Sequence, residues 1–223
     1  MLTELSTIFL IDITYYLLKY FLNILHTNNT RWFYIHSVTN GLIVYKSFHD
    51  IKTCLINPNI CYQISWNENS YCVFYLSLLL HIYHLLFFQL NKADYIHHLS
   101  MCGICGPLIY YQKSILSSFS LFFLTGLPGM IDYFSLFLVK INKFKWTTQK
   151  KNYIRLNIWI RSPGCILSTA LSYPGLIDYY YSSKLKFLRL LLMSILVFWN
   201  GQYYLMKTFD DYINYRIKNN RVP

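Results

Sequence analysis

Between Tyr71 and Tyr111 the chain reads YCVFYLSLLLHIYHLLFFQLNKADYIHHLSMCGICGPLIYY. Two apolar runs flank the polar break Asn91-Lys92-Ala93-Asp94. Each is long enough, or nearly so, to cross a bilayer, which takes about 20 apolar residues in a helix. Four histidines straddle the break, His81 and His84 before it and His97 and His98 after it. Ionisable groups inside a membrane point at one another or at a polar cavity, not at lipid. The stretch therefore predicts a helical hairpin with its polar residues gathered at one end.

The rest of the chain fits the same solvent. Of its 223 residues 55% are apolar, 19% aromatic and only 13% charged. That composition predicts one integral membrane domain, all-α, a polytopic transmembrane bundle of about seven helices. The net charge of +11 does not indicate nucleic acid, because the basic residues lie between and after apolar segments, as they do in membrane proteins.

The expected segments are Leu5–Leu25, Trp32–Phe48, Tyr71–Leu90, Asp94–Tyr111, Ile115–Val139, Leu156–Tyr173 and Phe187–Met206. Asp12 and Lys19 inside the first leave it open whether that run spans the bilayer or lies at its interface. Gly126-Leu127-Pro128-Gly129 predicts a kink or discontinuity in the fifth, since proline removes a donor and crowds the preceding turn. His49–Ser70 and the strongly basic Lys140–Arg155 read as connections.

Seven helices put the two ends of the chain on opposite sides. If Lys140–Arg155 is cytosolic, that side collects twelve basic residues in connections and tail, against five on the other (Lys46, Lys52, Lys113, Lys184 and Lys186). On this frame nearly all of His36, His81, His84, His97, His98, Asp132, Arg161, Asn200 and Gln202 fall within about 12 Å of the cytosolic face at 1.5 Å per residue. Neighbouring helices run in opposite directions, so this polar layer is not a consequence of closeness in sequence. It predicts a shared cavity, to which Asp94 and Arg155 add charge. Asp94 also suits the N-cap of the fourth segment.

The same residues carry a likeness. Arg31-Trp32-Phe33-Tyr34-Ile35-His36-Ser37, His81-Ile82-Tyr83-His84-Leu85 and Asp94-Tyr95-Ile96-His97-His98, with Gly126-Leu127-Pro128-Gly129 and Asp132 downstream, resemble the TLC family. That family is named for the translocating-chain-associating protein, the longevity-assurance ceramide synthases and a ceroid-lipofuscinosis membrane protein. The resemblance implies an N-terminal helix and linker (1–30), a TLC-like transmembrane domain (31–206) and a basic cytosolic tail (207–223). It also implies an endomembrane location, the endoplasmic reticulum. In the ceramide synthases the tandem histidines are followed, one helix later, by a His-Asp pair and further acids. Here that region reads Leu124-Thr125-Gly126-Leu127-Pro128-Gly129-Met130-Ile131-Asp132, which looks more like the family's non-synthase branches.

Three functions follow as expectations. The first is binding or sensing of membrane lipids in lipid homeostasis, without catalysis. The second is acyl transfer from acyl-CoA, with His97, His98 and Asp132 as catalytic residues and an imidazole taking the proton of an attacking amine or hydroxyl. The third is an adaptor or cargo role of the basic face. His98 is expected to face the cavity, because Asp94 lies four residues before it on the helix. No cofactor is expected: zinc at His81, His84, His97 and His98 is demanded by no spacing, and the histidine boxes of membrane di-iron enzymes are incomplete here. No phosphate-binding glycine loop, serine triad or EF-hand loop is present.

Overall fold

The structure, a computed structural model, describes residues 1–22, 30–90 and 92–218, and of Leu22, Ala93, Asp94 and Ile96 the backbone alone. Among these residues there are seven helices, and the only β pairing is an isolated bridge between Ser65 and Ser114. They are α1 (Leu2–Leu22), α2 (Thr30–Ile56), α3 (Glu68–Phe87), α4 (92–112), α5 (Ile115–Lys140), α6 (146–182) and α7 (Lys184–Lys218). Over its described residues each of the seven apolar segments falls on one of them, apart from residues 88–90, which follow the end of α3. Two, α3 and α5, are long and apolar enough to cross a membrane.

Three helices contain a π-helical turn: Ser100–Cys105 in α4, Phe122–Gly126 in α5 and Asn157–Arg161 in α6. Each ends two residues before a proline, namely Pro107, Pro128 and Pro163. In an α-helix proline lacks the N–H that would bond the carbonyl four residues back, and its ring collides with that carbonyl. In all three cases that carbonyl belongs to the π turn, where the wider winding moves it aside and the helix continues. The discontinuity expected at Gly126–Gly129 is therefore a wound turn within an unbroken helix. Pro174 is different: α6 passes it in α-helical form.

Helix also extends past the apolar segments. α2 runs to Ile56, into the stretch read as a polar connection, and α6 begins at Trp146, inside the basic stretch Lys140–Arg155. The tail to Lys218 is the continuation of α7, 35 residues and about 52 Å long. An apolar count marks what lipid can cover, not where a helix ends. Gln149, Lys150 and Lys151 are good helix formers, and α7 packs along α6 beyond its apolar part, where Thr147, Lys151, Tyr212 and Arg216 line a small polar cleft.

The first helix belongs to the same core as the others. Ile8 and Ile11 pack with Ile35, Val73, Leu76 and Leu80. Asp12 is buried and accepts from Arg31 Nε at 2.7 Å and from the Tyr83 hydroxyl at 2.5 Å, and a second nitrogen of Arg31 closes the ion pair. The guanidinium also sits over the rings of Tyr16 and Phe88, at 5.3 and 4.9 Å. Asp12, which left the first run's placement open, is thus neutralised inside the bundle.

At the opposite end, Asn67 caps α3 through a reciprocal pair with Ser70. The fully buried Asp50 of α2 fixes both, accepting from Asn67 Nδ2 at 2.8 Å and Ser70 Oγ at 2.7 Å. Trp66 Nε1 donates to the Ser114 carbonyl at 2.8 Å and ties this end to the start of α5. The buried thiols of Cys54 and Cys61 lie side by side here.

Candidate functional site

The polar residues meet in two adjoining groups. The first is built on α2, α3 and α4. Trp32, His36 and Asn40 lie at i, i+4 and i+8 of α2 and so share one face. Asn40, fully buried, accepts from Thr125 Oγ1 at 3.0 Å and turns its Nδ2 toward His36 Nδ1 at 3.0 Å. An amide nitrogen donates, so Nδ1 of His36 is the acceptor and the ring position is set from two helices. The His36 ring stacks on Tyr133 of α5 (3.9 Å, 12°) and meets Trp32 edge-on at 4.2 Å. Trp32 in turn stacks on His84 of α3, 3.6 Å away and nearly parallel.

α4 adds the tandem histidines. They lie about 100° apart on the helix, and the structure gives them different surroundings. His98 is buried, with Nε2 2.7 Å from His84 Nδ1, whereas His97 is exposed on its outer side and brings Nε2 to 3.2 Å from His81 Nε2. Both are engaged with α3, one histidine pair for each. His81 Nδ1 lies 2.7 Å from the Ser77 carbonyl, one turn back on α3. The Asp94 side chain, expected to orient His98, lies outside the described residues.

The second group is built on α5, α6 and α7. Asp132 does not meet the histidines. It accepts from Gln149 Nε2 at 2.7 Å and is in electrostatic reach of Arg161. Arg161 leaves the π turn of α6 only 8% exposed. Its NH1 is 3.5 Å from Asn157 Oδ1, its guanidinium stands over the Tyr204 ring at 4.7 Å, and its Nε has no hydrogen-bond partner among the described residues. Gln149 Oε1 and Asn200 Oδ1 are buried and equally unpartnered among them. α7 approaches α6 closely here. A Cβ on Gly201 would press on Cys165, and Gln202 Nε2 donates to Ser162 Oγ at 3.1 Å. Arg155, assigned to the cavity on sequence, is exposed instead; the arginine that turns inward on α6 is Arg161.

Tyr133 joins the two groups. Its ring stacks on His36 while Asp132 and Arg161 act on it electrostatically. The polar layer thus draws on α2 through α7, but as a histidine cluster and an arginine cluster with an aromatic between them. Sequence reasoning missed Trp32, Asn40, Tyr133 and Gln149. The four-residue spacing about His36 was the available signal for the first two. Gln149 carried none, because it stands in a stretch that read as a loop.

An apolar groove of about 590 Å³ runs along the outside of α6 and α7, lined by Ile166, Thr169, Ala170, Tyr173, Leu176 and Phe198. It holds none of the histidines. It begins five residues after Arg161 on the same helix, about 8 Å along the axis.

The chain matches no family model, and neither a curated protein nor a solved structure is significantly similar to it.

Proposed function

We propose that this chain is a multi-pass membrane protein that binds lipid and acts in lipid homeostasis, with the headgroup held by the arginine cluster and an acyl chain in the groove between α6 and α7. The observation that carries this reading is the unmet polar capacity of Arg161, Gln149 and Asn200. A buried donor or acceptor without a partner costs roughly 1–3 kcal/mol, and more when it is charged, so such groups call for a ligand or water. One of these groups is a charged donor on α6 and two are amide oxygens, on α6 and α7. A headgroup bearing an anionic or carbonyl oxygen suits Arg161, and a hydroxyl or amine suits the amides. Lipid is the ligand whose remainder fits a groove that opens on the outer surface of a bundle rich in exposed Leu, Ile, Phe and Tyr.

Acyl transfer is supported less. It is served by a carboxylate that orients an imidazole; of the two candidates Asp132 is turned to Gln149, and the Asp94 side chain lies outside the described residues. The TLC likeness, with its endoplasmic-reticulum location, is consistent with lipid binding and stays part of the proposal.

The test is native mass spectrometry of the protein purified from membranes in mild detergent, with an acyl-CoA turnover assay on the same sample. Retained lipid, reduced roughly 10- to 100-fold in affinity by Arg161→Gln, is the expected result, the size of a charge-assisted hydrogen bond in a buried site. Lipid retention unaffected by the substitution would refute the headgroup assignment. Turnover with an amine or alcohol acceptor would move the protein to the enzyme reading.

A further inference from the structure

The histidine cluster remains outside that reading, and its geometry points to a second kind of ligand. His81, His97 and His98 each offer one ring nitrogen, and the three nitrogens lie within 4.8 Å of one another. We propose that His81, His97 and His98 form a zinc-binding site, with His84 and the Ser77 carbonyl orienting its ligands.

Three observations carry this. First, the Ser77 oxygen can only accept, so Nδ1 of His81 bears the proton and the neutral ring presents its Nε2 lone pair to the cluster. A metal-bound histidine is held this way, with its other nitrogen donating to a carbonyl or carboxylate. Second, Nε2 of His81 and Nε2 of His97 are 3.2 Å apart. Two nitrogens about 2.05 Å from one tetrahedral zinc stand about 3.3 Å apart, so this pair has the separation that zinc requires. Without metal, a proton shared between the two nitrogens occupies that place. Third, the rings are fixed from outside the cluster. His84 holds His98 at 2.7 Å, and Trp32 stacks flat on His84.

The all-nitrogen donor set is one that zinc accepts, and three histidines leave a fourth position for water or another ligand. Burial of His81 and His98 with exposure of His97 gives a site closed on one side and reachable on the other. The histidine cluster and the arginine cluster stand on different residues, so either assignment can fail without the other.

The experiment uses the full chain with its affinity tag removed, stripped with a chelator and titrated with Zn²⁺ against a chromophoric competitor. The expected result is one equivalent per chain and, with Co²⁺ in place of zinc, the visible absorption of a tetrahedral centre. His97→Ala, at an exposed position, should lower zinc affinity by at least about 100-fold, the upper range seen for loss of even an outer-shell partner. His49→Ala, an exposed histidine of α2 outside the cluster, should leave it unchanged. The cobalt spectrum of the parent protein tests the site without relying on any variant. Less than stoichiometric zinc in the parent, a cobalt spectrum of octahedral type, or equal loss in His97→Ala and His49→Ala would overturn the assignment.

Discussion

Gly129→Ala tests the packing that sets the position of His36. A Cβ at residue 129 would overlap the Asn40 amide nitrogen and stand 3.1 Å from its Cγ. Asn40 is fully buried, so it cannot swing out to solvent. Moving it breaks the bonds to Thr125 and His36, worth about 1 kcal/mol each, and leaving its amide unmet adds about 1–3 kcal/mol. Alanine in place of glycine in a helix returns about 1 kcal/mol. The net destabilisation is about 2–4 kcal/mol, which in a chain of this size lowers the midpoint of thermal unfolding by about 4–16 °C. Tryptophan fluorescence of the protein in detergent reads it. The same substitution in an Asn40→Ala background meets no amide, so there it should be neutral or stabilising by up to about 1 kcal/mol. Equal destabilisation in both backgrounds would refute the reasoning, since additivity means that residues 129 and 40 do not interact.

Two further outcomes are expected. Asp12→Ala leaves Arg31 without its carboxylate; breaking a buried pair costs about 3–5 kcal/mol, and the 21% exposure of the Arg31 side chain brings this down to about 2 kcal/mol. Limited proteolysis between α1 and α2 should speed up accordingly, and Asp12→Ala with Arg31→Met should recover most of the loss; unchanged proteolysis in the single variant would mean that the pair does not hold α1. The excess of basic residues at the Lys140–Arg155 end predicts that an acceptor sequon appended after Pro223 stays unglycosylated in microsomes while one before Met1 is modified. The reverse pattern would place the polar layer at the other face of the membrane.

The helices were legible in the sequence because each carries an apolar run, and the polar grouping because its members stand at similar counts from one end of those runs. Depth follows from counting along a helix. Partnership does not. His97 and His98 were placed together by their adjacency, yet which of them meets His81 and which meets His84 depends on how α4 rolls against α3. Asp132 was assigned to the histidines because it stands where the resembled family carries its acidic motif, but one residue of helix rotation separates it from Tyr133, and it is Tyr133 that faces His36. Arg155 and Arg161 differ in the same way, six residues apart on one helix and turned to opposite environments. The π turns were signalled by Pro107, Pro128 and Pro163, but a proline alone reads equally as a kink, a break or a widened turn. Which one forms depends on the neighbours. At α5 two glycines let the helix lie close against α2, Gly129 against Asn40 and Gly126 against Ile43.

An electron cryo-microscopy map of the protein in lipid nanodiscs tests the proposal that Arg161, Gln149 and Asn200 hold a lipid headgroup. The expected result is density within hydrogen-bond distance of Arg161 Nε, continuing as a chain along Ile166, Ala170 and Phe198. Arg161 Nε bonded instead to protein atoms, with no density between it and that groove, would contradict it.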